Sequence, residues 1–226
     1  MPTYQELGYG QQQAAPITGD RARSIFGHVM GLVALTMAFA ALGAYVARDL
    51  TGGTGFLFFI VAIGCIFGLN GAVRRGREQL ATGLLFGLGL FLGMFVAPVI
   101  DFYANANPGV VYQAAGLTAL FTALMGGIGY TTQRDLSGLA RALLIPFIIV
   151  LLFGLVAVFV AIPASNVIYC VAMLVIFAGF TAFDFNRLAR AGNLQSPVPI
   201  AASIFLDIFN VFLLLLSLLG GSGGRR

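Results

Sequence analysis

Lysine and tryptophan are absent from this chain of 226 residues, and charged side chains make up only 9% of it. Without a lysine there is no amine for a Schiff base, which excludes the retinal-binding seven-helix proteins. The arginines lie between apolar runs and not along one stripe, so a nucleic-acid-binding surface is excluded as well. The two cysteines, Cys65 and Cys170, fall inside apolar runs, where a free thiol behaves as a small hydrophobe and no disulfide is expected.

The sequence signatures of soluble catalytic sites are also missing. It contains no HExxH, CxxC, GxxxxGK[ST] or Gly-x-Ser-x-Gly motif, so we expect neither an enzyme nor a bound cofactor. A membrane aspartyl protease is disfavoured, because the two acids of the C-terminal third stand in FDFN and LDIFN without the GxGD motif of that class.

The chain has instead a large excess of apolar residues. Hydrophobic residues make up 59% of it and the mean hydropathy is +0.97, which predicts an all-α, multi-pass membrane protein. Runs of about the 20 residues needed to cross a bilayer recur seven times. They cover residues 24–47, 55–73, 80–102, 110–131, 141–161, 164–183 and 199–219.

These runs predict a simple domain organisation. Residues 1–23 are polar and aperiodic and predict a disordered cytoplasmic tail, residues 24–220 a seven-helix transmembrane domain, and residues 221–226 a short flexible tail. The first run is longer than the core of a signal peptide and follows a long polar segment, so we expect it to remain as a helix.

Arginine placement predicts the orientation. With a cytoplasmic N-terminus, all arginines lie in cytoplasmic segments except Arg48, Arg225 and Arg226, as the positive-inside rule requires of a cell (inner) membrane protein. Arg225 and Arg226 would join the cytoplasmic set if the last run entered the membrane and returned. We prefer a full seventh span.

Asp207 is the first candidate for function. It lies about a third of the way into the last apolar run, where an ionisable group costs about 2.5–3.5 kcal/mol on insertion scales. On a helix it shares one stripe with Ser203, Asn210 and Ser217, which we expect to face the bundle interior. The alternative is a structural hydrogen-bond clamp between helices.

Asp184, at the end of the sixth run, is the second candidate. Alone it resembles a solvated helix-end acid, as do Asp101 and Asp135. The connection to the seventh run is short, however, so the two helices should be neighbours and Asp184 should approach Asp207. Two carboxyl groups in contact cannot both ionise cheaply and titrate as a unit. Such a pair suits pH sensing and a hard cation such as Ca²⁺.

Several motifs resemble those of the Bax inhibitor-1 family, the transmembrane Bax inhibitor motif proteins, in a bacterial-type member. The resemblance covers about residues 24–220. It rests on GMFVAPVIDFY at 93–103, TTQRDLS at 131–137, FDFNRL at 183–188 and FLDIFNVFLLLLSLLG at 205–220.

The resemblance implies two three-helix layers around a central C-terminal helix, and a pH-sensitive Ca²⁺ leak governed by an aspartate pair. Asp184 and Asp207 match that pair. An arginine at the cytoplasmic end of the second helix latches onto the pair in the family, and Arg75 or Arg74 stands there in this chain. An acid that some relatives carry inside the second helix is missing. Some bacterial relatives look more like regulators of a membrane quality-control protease.

The leading hypothesis is a pH-gated cation leak, with Ca²⁺ as the expected ion. Asp184 and Asp207 act as sensor and gate and as the Ca²⁺ contacts, Arg75 or Arg74 as the latch, and Asn210 and Ser203 orient Asp207. The alternative is a non-conducting regulator of a membrane protease or of a stress or cell-death response, with the polar N-terminal tail as its handle. A secondary transporter ranks third, because internal repeats and broken helices are not evident.

Overall fold

Seven α-helices make up almost all of the chain that the computed structural model describes, residues 19–49, 54–159, 165–191 and 196–222, and these residues contain no strand. All seven are long and apolar enough to cross a membrane, as the sequence predicts. They are α1 Gly19–Val46, α2 Thr54–Arg74, α3 Glu78–Ala106, α4 Pro108–Thr131, α5 Ser137–Phe159, α6 Ser165–Ala189 and α7 Val198–Ser222.

The helix ends differ from the apolar runs in informative ways. α1 begins at Gly19, inside the expected tail, while residues 1–18 and 223–226 lie outside the described residues. α6 continues to Ala189, so Asp184 lies inside a helix and not at its end. Run counting stops at the first charged residue, whereas a helix continues for as long as its backbone and side chains find partners.

The joints show the expected turn chemistry. Between α2 and α3, Gly76 has φ +68°, a left-handed conformation that glycine adopts without steric cost. Between α3 and α4, the side chain of Asn107 accepts a hydrogen bond from the N–H of Gly109 at 3.1 Å, and Pro108 occupies the first turn. Both connections hold consecutive helices close together.

The helices form two layers of three with α7 between them. In one layer α3 packs between α1 and α2, and in the other α6 packs between α4 and α5. α7 contacts helices of both layers, and its residues Phe205, Val211 and Leu216 are fully buried. This confirms the arrangement that the family resemblance implies. α7 is a single helix of spanning length, in keeping with a full seventh span.

Glycine allows a close crossing between α1 and α3. A Cβ atom at Gly89 would lie 2.5 Å from the carbonyl oxygen of Thr36, and one at Gly93 would collide with the carbonyl of Ala40. Small residues at such spacing let membrane helices approach closely. Gly83, by contrast, faces open space. The glycine spacing in α3 therefore predicts a packing face, but only Gly89 and Gly93 form it. Both cysteines are free and buried, as expected.

Candidate functional site

Asp184 and Asp207 lie on the neighbouring helices α6 and α7. Each is only 6% exposed, and the charge of Asp184 acts on the carboxyl group of Asp207. The pairing follows from the short connection after α6, which makes these two helices neighbours. Two buried carboxyl groups whose charges interact favour sharing a proton, because like charges in a poorly solvated site repel strongly.

Thr181 completes this site, and the sequence reasoning missed it. It is 1% exposed, lies one turn before Asp184 on α6, and its hydroxyl interacts with the carboxyl group of Asp207. One carboxyl oxygen of Asp207, Oδ2, is buried without a hydrogen-bond partner among the described residues. The i, i+3 spacing of Thr181 and Asp184 was the signal in the sequence, because residues so spaced share a helix face.

The two residues expected to orient Asp207 bond to their own helix instead. The hydroxyl of Ser203 donates to the carbonyl of Pro199 at 3.0 Å. The amide of Asn210 donates to the carbonyl of Leu206 at 2.7 Å. The polar side chain that acts on Asp207 therefore comes from α6, across the helix interface, and not from the polar stripe of α7.

The far end of that stripe is a hydrogen-bond clamp. Ser217 donates to the side-chain oxygen of Asn166 at 3.1 Å, and the amide of Asn166 lies 3.5 Å from the carbonyl of Ser217. The clamp joins α6 and α7 at the end opposite the acid pair. At Ser217, therefore, the polar stripe of α7 acts as a structural hydrogen-bond clamp between helices.

The arginine latch is not formed in this structure. Arg74 and Arg75 are exposed at the end of α2, and neither forms an ion pair with Asp184 or Asp207 within the described ranges. The cation that acts on Asp184 is Arg187, one turn further along α6 and exposed.

The end of α6 holds the segment between α4 and α5 in place. Asn186, 1% exposed, donates to the carbonyls of Gly129 at 3.1 Å and Thr132 at 2.8 Å and accepts from the N–H of Leu136 at 3.3 Å. Arg190 donates to the carbonyl of Gln133 at 2.6 Å. Asn186 therefore satisfies the open C-terminal end of α4, and it ties that end to the helix that carries Asp184.

The remaining polar candidates lie at the surface. Asp101 accepts a hydrogen bond from Asn105 at 3.0 Å, and Asp135 accepts from the N–H and the hydroxyl of Ser137 at 2.8 and 2.7 Å. His28 is exposed on α1. Among the described residues no group of three or more His, Cys, Asp or Glu forms that could hold a metal ion. The buried pair thus stands alone as the ionisable centre of the described bundle.

Seven spanning helices, the last at the centre and sharing a buried acid pair with the sixth, define a multi-pass helical membrane protein. The sequence profile of one family, described as "Inhibitor of apoptosis-promoting Bax1", matches residues 22–224. The chain therefore belongs to the Bax inhibitor-1 family.

Three bacterial relatives illustrate the similarity. An uncharacterized protein of Helicobacter pylori strain J99 is 30% identical over 166 residues, 73% of this chain and 71% of that protein. An uncharacterized membrane protein of Vibrio cholerae is 28% identical over 194 residues, 85% of each chain. The Escherichia coli K12 protein named modulator of FtsH protease YccA is 28% identical over 194 residues, 84% of this chain and 86% of that protein.

Proposed function

We propose that this protein is a non-enzymatic regulator that modulates a membrane-anchored protease in the bacterial inner membrane. The observation that carries the proposal is the similarity, over most of both chains, to the protein named modulator of FtsH protease. The arginine distribution supports an orientation with the N-terminus and the Arg74 end of α2 in the cytoplasm.

We propose that the polar N-terminal tail is the segment through which this protein contacts the protease. α1 begins at Gly19, so deletion of residues 2–18 removes the tail and spares the first spanning helix. The control replaces residues 2–18 by a shuffled sequence of the same composition, which keeps the length and charge of the tail.

The test compares the half-life of a membrane-protease substrate in cells that express the full chain, the deletion, the shuffled chain or none. We expect the full chain alone to change the half-life and to co-purify with the protease. A half-life that is the same with and without the full chain contradicts the regulator. A deletion that acts like the full chain contradicts only the role of the tail.

A pH-sensitive cation leak is the second candidate, and the acid pair favours it. A buried pair that shares a proton would let pH set the packing of α6 against α7, and carboxylates suit a hard cation such as Ca²⁺. In this candidate Arg75 or Arg74 has to move from its exposed position to reach the pair.

Flux measurements test the second candidate directly. Liposomes with the full chain should release Ca²⁺ at a rate that depends on pH, and Asp207→Asn should remove that dependence. Glu78→Gln, which neutralises an exposed acid at the start of α3, is the matched control. Equal flux and equal pH profiles in liposomes with the wild type and with Asp207→Asn would contradict the cation leak. They would not contradict the protease regulator.

A further inference from the structure

A groove of about 1090 Å³ runs along the bundle between α1, α3 and α4, with α7 at its floor. The backbones of α1 and α4 make no contact with each other in the described part of the chain, so the groove opens sideways to the bilayer. At the Arg23 end, the rings of Phe26 and Tyr130 meet edge to face with centroids 5.2 Å apart and bridge the two helices. The groove is therefore narrowed at one end and approachable from the side and from the Arg48 end.

The small side chains of several alanines leave the space that forms this groove. Its α4 wall carries Ala115, Ala119 and Ala123 at four-residue spacing, and α1 contributes Ala40 and Ala44. The outward face of α4 carries large apolar side chains instead, such as Leu120 and Leu124, which are 55% and 54% exposed. Water is a poor occupant of so apolar a slot at membrane depth, because it would find few polar partners there.

Opposite charges lie together at the wider end of the groove. Gly89 packs on Thr36 and Gly93 on Ala40, and the same register of α3 against α1 brings Asp101 level with Arg48. Both residues line the groove. A spanning helix ends at this depth, so the two charges stand where lipid headgroups lie.

Arg48 is available for an anion. Its guanidinium lies 4.5 Å from the centroid of the Tyr45 ring, and its Nε donates to Asp49 at 3.3 Å. The two side chains of that ion pair are 50% and 86% exposed, and such exposed pairs contribute little energy. Beyond Asp49 and the neighbouring Tyr45, Arg48 has no partner among the described residues, and an arginine fork matches the geometry of a phosphate.

We propose that this groove binds a bilayer glycerophospholipid whose headgroup carries both a phosphate and an ammonium. The phosphate binds Arg48, the ammonium binds Asp101, and one acyl chain lies along the alanines of α1 and α4. Half of the hydrocarbon core is about 15 Å, or about ten helical residues, so the chain passes Ala115 and Ala119.

A transmembrane helix of another protein is the competing occupant, since small residues also suit helix packing. Two observations favour the lipid. A helix that crosses the membrane needs a groove open at both ends, whereas Phe26 and Tyr130 bridge this one at the Arg23 end. The paired charges of Arg48 and Asp101 also complement a zwitterionic headgroup at one leaflet.

The first test fills the acyl-chain path. The full chain is purified in mild detergent, incubated with palmitoyl-oleoyl phosphatidylethanolamine, and analysed by native mass spectrometry for retained lipid. Wild type should retain one lipid, and Ala119→Phe should lose it. Leu120→Phe, which adds the same ring on the outward face of the same helix, should retain it. Ala115→Phe serves as a second blocking variant, and thermal unfolding shows which variants are folded.

The second test addresses the headgroup. Arg48→Gln should weaken retention about tenfold, the effect of losing one charge-assisted hydrogen bond, while Arg77→Gln on the α2–α3 connection leaves it unchanged. Asp101→Asn should weaken retention of phosphatidylethanolamine without weakening that of phosphatidylglycerol, which lacks the ammonium.

Three results would overturn the lipid proposal: no lipid retained by the folded wild type, equal retention in Ala119→Phe and Leu120→Phe, or no effect of Arg48→Gln. Equal retention together with loss of a co-purifying membrane protein from Ala119→Phe alone would identify a helix as the occupant instead.

Discussion

The side-chain amide of Asn186 donates a hydrogen bond to the backbone carbonyl of Thr132 at 2.8 Å, and so joins the end of α6 to the end of α4. Asn186 lies two residues after Asp184. Any movement of this part of α6 that follows a change of charge at Asp184 therefore acts on the α4–α5 segment as well. The bond provides a mechanical connection between the acid pair and an exposed surface.

Removal of the Asn186 amide should destabilise the bundle. Asn186→Leu keeps a similar volume but leaves the carbonyls of Gly129 and Thr132 without a side-chain donor, which costs about 1–3 kcal/mol for each buried group. We expect a clear fall in the thermal unfolding temperature of the purified protein in detergent. Asn70→Leu is the control, because that amide is exposed and bonds only to the carbonyl of Ile66 in its own helix. Equal unfolding temperatures for the two variants would contradict the role of Asn186.

The α1–α3 crossing should tolerate no side chain at Gly93. A Cβ there collides with the carbonyl of Ala40, so Gly93→Ala should force the helices apart and lower the unfolding temperature. Gly83→Ala on the same helix meets nothing within 4 Å and should be neutral or stabilise the helix by up to about 1 kcal/mol. If Gly93→Ala unfolds at the wild-type temperature, α1 and α3 do not cross this closely.

Thr181, and not Ser203 or Asn210, should affect the pH dependence of the acid pair. Thr181→Val keeps the shape and removes the hydroxyl that interacts with Asp207, so the pH dependence of whichever activity the pair controls should shift. Ser203→Ala and Asn210→Ala remove only bonds to their own helix and should leave the pH profile in place. The measurement is Ca²⁺ flux or protease-substrate half-life against pH. A shift with Ser203→Ala alone would instead support an orienting role for the α7 stripe.

We expect the segment before α5, which contains Asp135, to lose stability at acid pH. The hydroxyl and the N–H of Ser137 hold the pKa of Asp135 below its usual range, with smaller contributions from Arg190 and Arg141. Because its pKa is lower in the folded state, Asp135 stabilises this turn at pH values above its unfolded pKa of about 3.9. This stabilisation is lost as the pH falls through the folded-state pKa.

Ser137→Ala removes one donor, so the turn should loosen at a higher pH than in wild type. Hydrogen exchange at the backbone amide of residue 137, followed between about pH 5 and pH 2.5, measures this loosening of the turn. Ser203→Ala, a serine removed far from this turn, is the control. Identical exchange profiles in wild type and Ser137→Ala would show that the hydroxyl contributes nothing.

The class of protein, the seven spans and the two acids could all be predicted from the amino-acid sequence. Length and hydropathy are enough for the spans, because a bilayer admits only segments whose backbone is satisfied internally. The short connection after α6 made α6 and α7 neighbours, which was enough to bring Asp184 and Asp207 towards each other.

Which side chains meet across helices became visible only in the folded bundle. Thr181 interacts with Asp207, whereas Ser203, on the same stripe of α7 as Asp207, bonds to the carbonyl of Pro199 one turn back in its own helix. Asn186 bonds to the end of α4, and Arg74 and Arg75 stand apart from the acids. The groove between α1 and α4 likewise depends on which helices pack together. Apolar runs do not reveal this, because the lipid-facing and the packed sides of a spanning helix are both mostly apolar.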